Sequence, residues 1–147
     1  MKTQTTPEGG SVTFAYTDFD AVLKRTDPRG VESHFKYDSL NRLIKVRYSG
    51  LGGDDLGTVR PALPSTVEAT PDIDITYKTT APGNGAVNGI VDTAGSEPYT
   101  YDGFGRLTSK GRTITGNTNT YTIGYEYNAI SQQTALIYPS GKRQGEL

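Results

Sequence analysis

Phe35-Lys36-Tyr37-Asp38-Ser39-Leu40-Asn41-Arg42-Leu43 returns later in the chain as Tyr99-Thr100-Tyr101-Asp102-Gly103-Phe104-Gly105-Arg106-Leu107, position for position. Each copy runs from an aromatic-x-Tyr alternation, through a short polar segment, to an Arg-Leu pair. Alternation of period two is the pattern of a strand with one apolar face. The Asp after the Tyr can accept backbone N–H bonds from residues ahead of it, as in an Asx-turn. Asn41 in one copy is Gly105 in the other, and these residue types tolerate a left-handed backbone, so a positive φ is expected there. The stretch therefore reads as strand, tight turn, strand.

Working outward, weaker copies appear. Tyr16 precedes Tyr37 by 21 residues, and Pro7-Glu8-Gly9 precedes Pro28-Arg29-Gly30 by the same 21. Two independent landmarks thus share one period. Tyr125-Glu126-Tyr127-Asn128-Ala129-Ile130 is a partial copy that leads to a second Pro-x-Gly turn, Pro139-Ser140-Gly141. Ile75-Thr76-Tyr77 opens a degenerate unit that closes on Asp92-Thr93-Ala94-Gly95. The later Tyr-to-Tyr spacings are 24 and 26 residues, so the period is elastic, with the slack in turns. Repeats are expected over 7–48 and 73–141, an irregular Gly/Pro-rich insertion over 49–72, and a tail over 142–147. The 49–72 segment is long for a loop in a compact domain.

The strands show consistent faces. Val31, Ser33, Phe35 and Tyr37 alternate with Glu32, His34 and Lys36; Ile44, Val46 and Tyr48 alternate with Lys45 and Arg47. Ile73, Ile75 and Tyr77 alternate with Asp72, Asp74 and Thr76, and Tyr121, Ile123, Tyr125 and Tyr127 with Thr122, Gly124 and Glu126. One apolar and one charged face per strand predicts an antiparallel sheet with one wet side. The expected class is all-β: tandem antiparallel hairpins forming a curved strip or part of a solenoid shell, with no helix.

Composition agrees. The chain has 147 residues, 33% hydrophobic, with 18 Gly and 10 Tyr, so many short strands with tight connections are expected rather than a thick core. A net charge of −1 lacks the basic excess that nucleic acid selects, and no apolar run is long enough for a membrane-spanning helix. Zero Cys excludes disulfides and thiolate metal sites. Met1 to Thr6 has no apolar signal-peptide core.

Candidate chemistry is sparse, and no catalytic, cofactor or metal residues are assigned. His34, the single histidine, sits among Glu32 and Lys36 and reads as a solvated strand position. Asp54, Asp55, Asp72 and Asp74 could hold Ca²⁺ through carboxylates, but their spacing matches no known loop, and solvated acids are the simpler reading. Asp18, Asp38 and Asp102 recur at repeat spacing and read as turn caps rather than acid/base groups. Tyr16, Tyr37, Tyr77, Tyr99, Tyr101, Tyr125 and Tyr127 could stack on sugars, but periodic aromatics on an apolar face read first as inter-hairpin packing, each hydroxyl reaching a partner or water. Lys24, Arg25, Arg42, Lys45 and Arg47 make a mild basic patch that reads as a solvated face.

The aromatic-x-Tyr-Asp-x-x-Gly/Asn-Arg-Leu copies followed by Pro-x-Gly turns resemble the YD (Rhs) repeat family, which includes bacterial Rhs proteins, the shell components of Tc toxins, and teneurins. The repeat-motif residues are Tyr16, Pro28, Gly30, Phe35, Tyr37, Asp38, Asn41, Arg42, Leu43, Tyr99, Tyr101, Asp102, Gly105, Arg106, Leu107, Tyr125, Tyr127, Pro139 and Gly141. Asn84-Gly85-Ala86-Val87-Asn88-Gly89-Ile90 resembles a degenerate Asn-Gly-x-Gly-Arg-Leu, with Asn88-Gly89-Ile90 in the place of Gly-Arg-Leu. The resemblance implies hairpins joined edge to edge into a strip that spirals into a hollow shell. It implies a non-catalytic segment, without cofactor, of a secreted or cell-surface toxin shell that encloses or displays a polypeptide. Its partners would be neighbouring YD repeats or a toxin cargo. The alternative is a cell-surface recognition module binding glycans or a partner protein. The family's core segment with its cleavage motif is not found here, and the expectation is a fragment of a much larger protein, with open edges.

Overall fold

Tyr, Thr, Ile and Val at alternate positions between Gly- and Asp-containing turns give strands and nothing else. The computed structural model describes residues 2–6, 10–50 and 60–145. Among these there are twelve strands and no helix, and strand order follows chain order with antiparallel pairing. The chain divides into two compact units, Met1–Asp74 and Ile75–Leu147.

The first unit holds β1 (Lys2–Thr6), β2 (Gly10–Tyr16), β3 (Val22–Thr26), β4 (Glu32–Tyr37) and β5 (Leu43–Tyr48). β6 (Ile73–Tyr77) begins in it, and its first two residues pair with β5 as Lys45↔Asp74 and Val46↔Ile73. The second unit holds β7 (Val87–Asp92), β8 (Gly95–Tyr101), β9 (Leu107–Ile114), β10 (Thr120–Tyr127), β11 (Gln133–Ile137) and β12 (Arg143–Gly145). Pro7, Glu8 and Gly9, the first member of the Pro-x-Gly pair, lie outside the described residues, as do 51–59 of the insertion. Residues 60–72 carry no strand.

One irregularity recurs. Lys36 faces Lys45, but Tyr37 faces Leu43, so Ile44 is an extra residue. The same slip comes just before Tyr16, Tyr101 and Tyr127, leaving Leu23, Thr108 and Thr134 as the extra residues. A bulge adds local twist and re-aims the side chains beside it. It marks the same place in all four hairpins, immediately before the repeat Tyr.

The core is thin, as the composition implies. The buried apolar residues described are Val31, Val46 and Ala135, whereas Asp27, Ser33, His34, Arg47 and Ser49 are buried polar ones. The expectation of one dry and one wet face is therefore corrected in the first unit. The row Ala15–Lys24–His34–Arg47 runs across β2 to β5 on the face read as wet. His34 and Arg47 in that row are almost wholly covered, because neighbouring charges close over them.

The degenerate unit is also corrected. Lys78 N donates to Ala86 O, Gly85 N donates to Lys78 O, and Gly85 has φ 83°. Gly85-Ala86-Val87 thus stands where Asn41-Arg42-Leu43 stands in the best copy, and the turn is longer. Asn88-Gly89-Ile90 lies inside β7, where a Gly-Arg-Leu turn has no place.

Candidate functional site

The repeat motif assembles a turn latch from its own sequence. In the β4–β5 hairpin, Asp38 Oδ1 accepts the N–H groups of Leu40 and Arg42 at 2.9 and 3.0 Å, and Asp38 Oδ2 accepts Arg42 Nε at 2.8 Å. Asp102 repeats this with Phe104, Arg106 and Arg106 Nε at 2.9, 3.0 and 2.6 Å. Asn128 Oδ1 likewise accepts the N–H groups of Ile130 and Gln132, but the side-chain bond is reversed, with Asn128 Nδ2 donating to Gln132 Oε1 at 2.9 Å. The Arg42 N–H and side chain hold the Asp38 carboxyl below its ordinary range. At Asp102, burial pushes upward, but the bonds from Arg106 outweigh it and the net shift is downward.

The chain then turns through a left-handed residue: Asn41 has φ 59° and Gly105 79°. Asp20 at 60° and Ser131 at 65° occupy the same place in the first and last Tyr hairpins. That equivalence was hidden in the sequence, because Asp and Ser there look like ordinary loop residues. It also shifts the first repeat by one position. Thr17, not Asp18, is the counterpart of Asp38, and its Oγ1 accepts Ala21 N at 3.1 Å. Asp18 is exposed.

The Tyr side chains staple one hairpin to the next. Tyr37 Oη donates to Val22 O at 2.9 Å, Tyr101 Oη to Val87 O at 2.7 Å, and Tyr127 Oη to Leu107 O at 2.9 Å. In each case the acceptor is the first residue of a return strand of the preceding hairpin. Burial pushes the Tyr37 and Tyr101 phenols up. Arg106 adds a second link: its guanidinium lies 4.8 Å from the Tyr127 ring centre, and Nη1 donates to Asn128 O at 3.0 Å. Gly83 packs against the Tyr101 ring, where an added Cβ would come within 2.7 Å of a ring carbon.

The Pro-x-Gly turns use the same geometry from the opposite ends of the strands. Gly30 has φ 81° and Gly141 78°. Asp27, which sequence reading passed over, is the latch before Pro28: its Oδ1 accepts Arg29 N and Val31 N, and its Oδ2 binds the Arg29 guanidinium. The position of Asp two residues before the N–H it receives was the available signal. Of the other motif residues, Phe35 pairs across to Val46, Leu43 and Leu107 face Tyr37 and Tyr101, and Tyr125 faces Leu136. Tyr16 faces Val22, and its ring lies 6.3 Å from Phe14. Tyr99 donates to Glu97 at 2.9 Å, with the Lys110 ammonium 5.7 Å from its ring centre.

Two polar clusters remain. Glu32 bridges Lys24 Nζ at 2.6 Å and His34 Nε2 at 2.8 Å. Burial raises Glu32, but these two partners outweigh it and its pKa is lowered. His34 is thus a buried, hydrogen-bonded strand residue rather than a solvated one. Beside it an open groove of about 530 Å³ is lined by Ala15, Phe19, Leu23 and Tyr37 with Lys24 and His34. In the second cluster, Arg47 Nη2 donates to Asp74 at 2.7 Å and Nη1 to Ile73 O at 2.8 Å. Arg60 Nη1 donates to both oxygens of Asp72, at 2.9 and 2.8 Å. Arg47 therefore leaves the solvated patch expected of it. Asp72 accepts from Arg60 through both oxygens and from Tyr48 N, Asp74 Oδ1 accepts from Arg47, and Asp54 and Asp55 lie outside the described residues. Every polar group named in these clusters is engaged in holding strands or turns.

No protein-family model matches the sequence, and no curated protein matches it. Solved structures do match. The crystal structure of TcdB2-TccC3-TEV superposes with a TM-score of 0.73 over 97% of this chain at 14% identity. TcdB2-TccC3 without its hypervariable C-terminal region gives 0.73, 97% and 14%. The Photorhabdus luminescens Tc holotoxin pore gives 0.66, 93% and 16%. This chain spans 8%, 7% and 8% of the lengths of those chains. At such identities the likeness is one of fold: this all-β run of antiparallel hairpins has the fold of a segment of solved Tc toxin chains.

Proposed function

We propose that the chain is a non-catalytic structural segment of a YD (Rhs) repeat shell. It continues edge to edge with further repeats of a parent protein and encloses or displays a toxin polypeptide. The observation that carries this reading is the repeated set of bulge, latch and Tyr staple, which spends the recurring polar groups of each motif on closing its turn and joining one hairpin to the next. A lone hairpin is marginal in water, and nearest-neighbour stapling is how a repeat array gains stability. The fold shared with Tc toxin chains supports the same reading. Engagement of the Tyr37, Tyr101 and Tyr127 hydroxyls by neighbouring strands favours packing over sugar stacking. The motif residues, the division into two repeat blocks around the 49–72 insertion, and a secreted or cell-surface location all belong to this proposal. The test is to raise antibodies to this chain, isolate the full product that carries it, and digest that product with trypsin. A shell is expected to protect a non-repeat polypeptide until urea opens it. A product in which every non-repeat segment is cut at the rate of the denatured protein overturns the proposal.

A further inference from the structure

Two large apolar side chains left exposed in the first unit, Phe19 at 46% and Leu23 at 47%, line the groove beside His34. Leu23 is the extra residue of the β2–β3 bulge, and a bulge re-aims the side chains it carries. Phe19 stands edge-on to Tyr37 at 5.8 Å, and the Tyr37 hydroxyl is fixed by its bond to Val22 O, so the apolar wall is preformed. With Ala15 these residues make an open, mostly apolar hollow of about 530 Å³. Small-molecule sites fall in the range of roughly 300–1,000 Å³.

The charges around the hollow do not cancel. Glu32 spends one oxygen on Lys24 and the other on His34, and Asp38 spends its oxygens on its own turn and on Arg42. Lys36, which also lines the groove, is left over. It is exposed, and no bond or ion pair reaches it among the described residues. Its register partner across β4–β5 is Lys45, where an acid would stabilise the pair and a like charge does not. His34 adds an unused polar atom. Its side chain is 9% exposed, Nε2 is taken by Glu32, and Nδ1 has no partner among the described residues. Glu32, His34 and Lys36 alternate along β4, so His34 and Lys36 share a face, about 7 Å apart along the strand.

We propose that this groove binds a small amphiphilic monoanion, a medium-chain carboxylate being the simplest case, with its head at Lys36 and its chain over Ala15, Leu23, Phe19 and Tyr37. The surplus positive charge selects the head, and the apolar wall selects the chain. An extended peptide is disfavoured, because β2, β3 and β4 are each paired on both sides and offer no free edge for strand addition. One surplus charge is no track for a polyanion. The site lies within β2–β4 and does not depend on the enclosing role, so this test and the protease-protection test fail separately.

The probes are decanoate, octanoate and decanol, titrated into the full chain and followed by heteronuclear NMR. His34 is the single histidine, so its ring signals report on the groove without ambiguity. Decanoate is expected to shift the His34 ring and the β3 and β4 amides, with a Kd on the order of 0.1–1 mM. Octanoate, two methylenes shorter, is expected to bind at least about four-fold more weakly, and decanol about five-fold more weakly. Lys36→Gln brings decanoate down to the affinity of decanol and leaves decanol unmoved, whereas Leu23→Ser weakens both about five-fold. Both substitutions change exposed side chains and leave the strand pairing intact. No response to decanoate, decanol binding as tightly as decanoate, or affinities unmoved by the two substitutions overturn the proposal. So do groove shifts that appear on concentrating the chain without any probe and vanish with Leu23→Ser, which would assign the hollow to a second copy.

Discussion

Arg47→Ala tests whether the charge cluster beside β5 holds the structure or merely decorates it. Arg47 is 4% exposed, and the pairing of β5 with β6 rests on two register pairs, Lys45↔Asp74 and Val46↔Ile73. The guanidinium spans that junction, donating to Ile73 O at 2.8 Å and to Asp74 at 2.7 Å. Removing a charged donor from a covered carbonyl costs about 1.5 kcal/mol. Asp74 is half exposed, so its ion pair is discounted for solvent screening to about 0.5 kcal/mol. The buried methylene stem contributes about 1 kcal/mol after partial refilling. The expected loss is therefore about 3 kcal/mol, a large share of the stability of a small domain. Arg29→Ala, whose side chain is 67% exposed, is expected to cost under about 0.5 kcal/mol and serves as the control. Urea unfolding followed by far-UV circular dichroism measures both, with equal slopes confirming that the same surface unfolds. An Arg47→Ala loss below about 1 kcal/mol, or one no larger than that of Arg29→Ala, refutes the reasoning.

Other outcomes follow from the same geometry. Ser131→Gly relieves a left-handed non-glycine residue and is expected to raise stability by about 0.5–1 kcal/mol, read by urea midpoint; Gly105→Val at the equivalent turn lowers it. Tyr37→Phe, Tyr101→Phe and Tyr127→Phe each remove one staple and are expected to cost about 0.5–1.5 kcal/mol, whereas Tyr121→Phe, on an exposed ring, costs less. Gly95→Ala places a Cβ 1.8 Å from Thr113 O, so the β8–β9 pairing must shift; hydrogen exchange of the β9 amides is expected to rise sharply. The Lys110 hydrogen bond holds Glu97 below its ordinary 4.5, and Glu32 is lowered as well, with the upward push of burial overcome by Lys24 and His34. Both contributions are complete above pH 4.5 and fade as pH falls through the lower folded values. Glu97 in turn raises Lys110 above 10.5, a contribution complete below that pH and lost as pH climbs past it. Thermal melts across pH are expected to fall on both sides, and Lys110→Gln is expected to soften both the alkaline fall and Glu97's part of the acid one.

The turns were legible because their chemistry is local. Asp38 bonds to residues two and four positions ahead, and Asn41 and Gly105 advertise a positive φ by their residue types. Asp20 and Ser131 adopt the same conformation without advertising it, since the four-residue frame around them imposes it. The elastic period misled in one place. A Gly in Asn88-Gly89-Ile90 matched the motif, yet the backbone bonds of the turn close around Gly85. Hydrogen bonding, and not residue identity, decides which glycine turns the chain.

The all-β class, the hairpin period and the Tyr-Asp turn chemistry can be read along the chain, because strands and tight turns are written in contacts a few residues long. What lies under cover depends on partners far apart in the chain. Arg47 meets Asp74 across 27 residues, Arg60 reaches back to the Tyr48 carbonyl, and His34 lies between strands whose charges close over it. A lysine, arginine or histidine on an alternating strand looks solvated until its cross-strand partner is known, and that partner is set by register.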